Sequence, residues 1–191
     1  MDGPWLNKIN RERRIDPREA LKRLRTMVEL NVALSDLPAD VKSLRTHGLK
    51  RDREIREACL FCHGMAQRIG QPVWVYPVED ADYDFVAAWE VDDTRHFAPV
   101  QLKEVVPKHR NPSASLQAIV DRLTRYQASD QLTVAIHFNR AEQIDLRRVS
   151  VPPLALAGLW VFGAISEDQS QWALWGNMLE VPAWSAFEHP T

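Results

Sequence analysis

Several features that would assign this chain to a compartment or to a fibrous class are missing or sparse. Cysteine occurs only twice, at Cys59 and Cys62, in 191 residues. With no secretion signal beside them, two cysteines are expected to be reduced thiols. No run of about twenty uncharged apolar residues is present, which excludes a conventional membrane-spanning helix. The opening Met1-Asp2-Gly3-Pro4-Trp5 has neither the basic region nor the apolar run of a signal peptide. A cytoplasmic protein is the expectation. Repeats, low-complexity tracts and Gly/Ser linkers are also absent. The formal net charge is only −2, which argues against a uniformly basic nucleic-acid coat while leaving room for a local basic face.

What is present is an ordinary globular composition, 45% apolar and 26% charged, in a chain long enough for one domain with a sizeable core. The seven tryptophans crowd toward the C-terminal end. Residues 1–191 read as a single α/β domain. An N-terminal helical segment occupies 1–50, a core 51–140 and a C-terminal extension 141–191.

The order of elements follows from periodicity. Asp16 as N-cap, Pro17 at the first helical position and Glu19 three residues after the cap open a helix reaching about Leu34. Residues 35–50 read as a connector with a short helix near Val41 and Leu44. A second helix spans Asp52 to Ile69, with a stripe of Ala58, Phe61, Cys62, Met65 and Ile69, and Gly70 closes it. The period then changes to that of strands over 73–78, 85–89 and 97–106, with Asp92-Asp93-Thr94 as turn material. A third helix is expected over 113–126. Leu132 to Phe138 is so apolar that it reads as a strand buried on both faces. Leu154–Ile165 and Gln171–Leu179 make a Trp-rich hairpin.

The chemistry centres on Asp84, which opens one strand, and on Gln101-Leu102-Lys103 within the next. Alternate residues of a strand share a face, so Gln101 and Lys103 project together while Leu102 points to the core. The later alternation, Val100, Leu102 and Val105 against Gln101, Lys103 and Glu104, is imperfect and suggests a bulge near Glu104. A carboxylate, an amide oxygen, a main-chain carbonyl and an ammonium are the groups a magnesium-dependent phosphodiester hydrolase requires. A hard cation takes oxygen ligands and activates water, and a lysine stabilises the charge that builds on the phosphate.

These residues resemble the PD-(D/E)xK nuclease superfamily. Asp84 matches its aspartate and Gln101-Leu102-Lys103 its (D/E)xK, in the QxK form of Mrr-like restriction endonucleases; Tyr83 stands where the proline would be. The resemblance covers the run from Glu57 to Leu132. It implies a restriction-endonuclease-like core of helix, three strands, helix, strand, and a Mg2+ or Mn2+ ion held by Asp84, Gln101 and the Leu102 carbonyl. It also implies a catalytic role for Lys103, an added carboxylate from Glu57 (or Glu54 one turn earlier), and nucleic acid, DNA first, as substrate. The alternative is a non-catalytic nucleic-acid- or protein-binding module on the same fold.

Other motifs have plainer readings. Cys59-Leu60-Phe61-Cys62-His63 matches the haem-attachment string but lies within an amphipathic helix, where free cysteines act as small hydrophobes. His137 fits a structural histidine in an apolar strand. His109, between Lys108 and Arg110, sits in a polar loop able to touch phosphates. Trp160, Trp172, Trp175 and Trp184 fit a packed hairpin or the interface of a homodimer better than a base-stacking platform. Arg11, Arg13, Arg14, Arg18, Lys22, Arg23 and Arg25 make the start of the chain locally positive.

Overall fold

A computed structural model describes residue 9 and residues 13–34, 50–78, 80–126 and 129–191. It is a mixed α/β structure with helices α1 (Pro17–Leu34), α2 (Lys50–Ile69) and α3 (Leu116–Arg122). The strands are β1 (Val73–Tyr76), β2 (Phe85–Val91), β3 (Thr94–Val105), β4 (Ser129–Phe138), β5 (Leu156–Ala164), β6 (Gln171–Gly176) and β7 (Ala183–Glu188). All seven strands hydrogen-bond in sequence order, β1 to β7. The connector read over residues 35–49 lies outside the described residues. The chain divides into two compact units, Met1–Phe97 with His189–Thr191, and Ala98–Glu188.

In the first unit α1 starts where the cap chemistry demands. Asp16 Oδ1 accepts from the backbone N–H of Arg18 at 2.9 Å and of Glu19 at 3.4 Å, satisfying donors that the first helical turn leaves open. Leu21 is fully buried as α1 packs on α2. Burial on α2 is wider than a stripe: the whole run Glu57–Gly64 is buried, whereas Ile69 is exposed. The helix is therefore covered round its middle and uncovered at its end, where Gly70 takes a φ of +68° as the closing residue. Both cysteines fall in the buried stretch.

β1 runs antiparallel to β2, from Val73 opposite Trp89 to Tyr76 opposite Val86, and Ile15 forms an isolated bridge to Val75. β2 turns into β3 through Asp92 and Asp93 alone, both at positive φ (48° and 59°). Aspartate tolerates that region better than most residues, and a two-residue turn of this hand matches the twist of the strands it joins.

The second unit is built on a parallel pair of neighbours. β4 lies parallel to β3 on one side and to β5 on the other, so each pair requires a crossover, the first through α3 and the second through residues 139–155. Ser115 caps α3 by accepting from the Ala118 N–H, so the helix begins at Leu116, three residues beyond the first position that its sequence suggested. Leu132 to His137 is buried without interruption, as expected for a strand covered on both faces. After β5 the chain forms not a hairpin but a three-stranded antiparallel meander, because Ala183–Glu188 adds β7 beside β6. Among the described residues no helix is long and apolar enough to cross a membrane.

Candidate functional site

The register of β3 against β4 fixes which side chains share a face. Val100 pairs with Thr133 and each following residue steps in turn to Val105 opposite Phe138, without a shift. No bulge interrupts β3 at Glu104, contrary to the sequence reading. Gln101, Lys103 and Val105 therefore occupy one face, and Val100, Leu102 and Glu104 the other. A strict period of two was hidden because Glu104 is a charged residue at an inward-facing position.

On the first face Gln101 is buried, at 8% exposure, and its Nε2 donates to the Leu102 carbonyl at 3.4 Å. Lys103 is half-buried. Its ammonium makes no hydrogen bond or ion pair among the described residues. The neighbours on this face from β4, Val134 and Ile136, are fully buried and apolar. The carbonyl expected to serve a metal already receives a weak bond from the adjacent amide.

On the opposite face Glu104 stands directly beside His137. A carboxylate oxygen of the first lies within 4.8 Å of a ring nitrogen of the second. Asn139 Nδ2 donates to Glu104 Oε1 at 2.8 Å and holds it. The His137 ring stacks on Phe162 with centroids 5.0 Å apart and sits 5.7 Å from Trp172. This fixed Glu–His pair was not among the residues that sequence reasoning selected. The signal that could have found it is the matched placement of an acid near the end of one apolar strand and a histidine near the end of the next.

The loop after β3 is tethered through charge. Lys108 and Arg140 both pair with Glu142, and Arg140 Nε donates to the Val106 carbonyl at 2.8 Å. The hydrogen bond from Lys108 lowers the Glu142 pKa most, and the charges of Lys108 and Arg140 add to it against desolvation, which raises it.

In the first unit Asp84 is half-buried at the entrance to β2, after a tight loop in which the Asp80 N–H donates to the Tyr83 carbonyl at 2.9 Å. Glu57 is buried in α2, 5% exposed, with Arg53 Nε 4.0 Å from its carboxylate. Its charge also offsets part of the lowering that burial imposes on the Arg56 pKa. Glu54 is committed to Lys50 at 3.3 Å.

The cysteine string behaves as a core motif. Burial pushes the Cys59 thiol up to about 12 and raises Cys62 well above its ordinary range, so neither is a thiolate. Compared with known proteins, the chain matches no family model, no curated protein and no solved structure.

Proposed function

We propose that this chain is a divalent-metal-dependent nuclease domain of the restriction-endonuclease-like type. It cleaves phosphodiesters of nucleic acid, with DNA as the first substrate to test. The observation that carries this reading is Lys103: a half-buried ammonium on an interior strand, without an ion-pair partner among the described residues, two positions from the buried Gln101 on the same face. Holding a cation in such a place without a carboxylate is unfavourable unless an anion arrives to use it. A phosphate diester is such an anion.

The donors assigned by the resemblance suit a hard cation in kind: the Asp84 carboxylate, the Gln101 amide oxygen and the Leu102 carbonyl are all oxygens. A bound magnesium or manganese ion would supply phosphate polarisation and an activated water. The protein's own contributions are those of its residues. Lys103 binds a non-bridging phosphate oxygen and steadies the charge that grows there. Gln101 orients through its amide, and the apolar neighbours Val134 and Ile136 limit water around the ammonium. Glu104 and His137 offer a second set, oxygen plus imidazole, on the other face.

One observation favours the non-catalytic reading. Gln101 already donates to the Leu102 carbonyl, and a carboxamide adds no negative charge to attract the ion. The test is calorimetric titration of Mg2+ and Mn2+ with cleavage assays on single- and double-stranded DNA and RNA. Wild type is compared with Asp84→Asn, Lys103→Met, Glu57→Gln and Glu104→Gln. Metal-dependent cleavage lost in Asp84→Asn and Lys103→Met supports the nuclease. Metal binding lost in Glu104→Gln but kept in Asp84→Asn moves the cation to the second set. A folded protein that neither binds metal nor cleaves leaves a binding module.

A further inference from the structure

The sheet face of β6 and β7 that carries the half-buried residues has a defined relief. Burial in β6 alternates strictly, with Trp172, Leu174 and Gly176 buried and Gln171, Ala173 and Trp175 partly open. Register extends this side across three strands, open on β6 and β7 and closing at the buried Val161 of β5. Gly163 pairs with Ala173, and Ala173 with Ala186. Val161 pairs with Trp175 and Trp175 with Trp184, while Gln171 pairs with Glu188. The result is a lane floored by Gly163, Ala173 and Ala186. One wall is the Trp175 and Trp184 row, and the other is Gln171 and Glu188. The walls stand four residues apart along each strand, roughly 13 Å, room for one extended chain with its side chains. Trp184 is 63% exposed, and Ala186 and Glu188 are exposed as well.

Charge decides what fits there. Of the lane's residues Glu188 carries the charge, its Oε1 accepting from Gln171 Nε2 at 3.3 Å and its other oxygen facing the lane's ligand in the proposal below, and from Val149 to Thr191 the sequence adds Glu167, Asp168 and Glu180 but no lysine or arginine. A phosphate backbone would be repelled, so the tryptophans are badly placed for stacking bases. A second copy of the same acidic face would be repelled for the same reason. Trp175 adds an unmet need: its Nε1–H is buried without a hydrogen-bond partner among the described residues, which calls for an acceptor.

We propose that this lane is a docking surface for an extended arginine- or lysine-bearing segment of a partner protein. The aliphatic stem of the basic side chain lies on Ala173 and Ala186. Its cationic head sits between the face of Trp184 and the carboxylate of Glu188, combining cation–π attraction with a charge-assisted hydrogen bond. Movement of the exposed Trp184 ring opens the Trp175 donor to a main-chain carbonyl of the same segment. This inference stands apart from the nuclease reading, since none of these residues belongs to the sites described above.

The test uses the full chain and a blocked octapeptide alternating arginine and threonine, with a glutamate–threonine octapeptide as control. Binding is followed by tryptophan fluorescence and by amide and indole NMR shifts. The arginine peptide should bind saturably, shift the amides of Ala173, Trp184 and Ala186 together with the Trp175 indole N–H, and weaken as salt rises. Trp184→Ala should lower its affinity about ten-fold through loss of the cation–π contact. Glu188→Gln should weaken it and flatten its salt dependence. Both side chains are exposed, so the fold is retained, which melting checks. Equal binding of the acidic peptide, unchanged affinity in both variants, the same shifts with oligothymidylate, or the same shifts on self-association would each overturn the proposal.

Discussion

Replacing Lys103 by methionine separates a functional lysine from a structural one. Methionine keeps the length and apolar bulk of the stem and removes only the charge. The stem packs in the row of Ile136, which is fully buried, so packing is preserved. The ammonium has no ion-pair partner among the described residues, so no carboxylate is stranded when it goes. Stability should therefore change by no more than about 1 kcal/mol in either direction, a shift of roughly 2–4 °C in a chain of this size. Cleavage should respond very differently. A preorganised donor that meets growing phosphate charge accounts for about 10²–10³ in rate, or about 2.7–4 kcal/mol. Binding to DNA in the absence of metal should lose about one unit of its salt slope, the signature of one phosphate contact. Thermal melting, single-turnover cleavage and binding titrated against salt measure the three quantities. A Tm lowered by about 10 °C, or cleavage and salt slope both equal to wild type, would refute the reasoning.

The other expectations are briefer. Gln101→Glu adds a charge that attracts a cation and should tighten Mg2+ binding if the Asp84 set is the site; calorimetry showing equal or weaker binding counts against that assignment. Gly176→Ala would place a Cβ 2.6 Å from the Trp160 ring and 3.0 Å from the Leu159 carbonyl, at a φ of +150°. Overpacking and backbone strain together should cost about 3 kcal/mol, visible in chemical denaturation. For the cysteines the sign is set by folded-state pKa values raised above those of the unfolded chain, with Cys59 at about 12. Their contribution to stability is full below about pH 8.5 and lost as pH rises from there toward the folded-state values, at up to about 1.4 kcal/mol per pH unit for each thiol. Cys59→Ala with Cys62→Ala should flatten that alkaline decline, and native protein at pH 8 should resist thiol reagents.

Local signals were the legible part of this fold. Asp16 capped α1 through its carboxylate acceptor, Gly70 closed α2, and the largely apolar run of β4 announced burial on both faces. What depended on register was not legible. The parallel pairing of β3 and β4 is set by how the α3 crossover returns the chain, and only that pairing reveals Glu104 beside His137. β7 was missed because Phe187 is its only buried apolar residue, so Ala183–Glu188 shows no apolar alternation. Of the candidate site, the shared face of Gln101 and Lys103 followed from strand period alone. The placement of Glu104 opposite to them came from an alternation that a charged residue had disguised.

On the proposed nuclease reading, register also sets a boundary on where nucleic acid can lie. Lys103 pairs with Ile136, Ile136 with Val161, Val161 with Trp175 and Trp175 with Trp184. This single row spans four strand spacings, about 19 Å. At its first end stand Lys103 and, past the end of β3, Lys108, His109 and Arg110, while its last end lies in a stretch with four acids and no lysine or arginine. Screening at physiological salt acts over about 8 Å, so the two ends behave as separate electrostatic neighbourhoods. A phosphate chain engaged at Lys103 gains from the basic loop and loses progressively toward Trp184. The footprint should therefore end before β6. Fluorescence quenching by DNA should leave Trp184 unaffected even where binding at Lys103 is saturated. If Trp184→Phe removes most of the DNA-induced quenching, the charge argument fails, and the tryptophan row is a base-stacking surface after all.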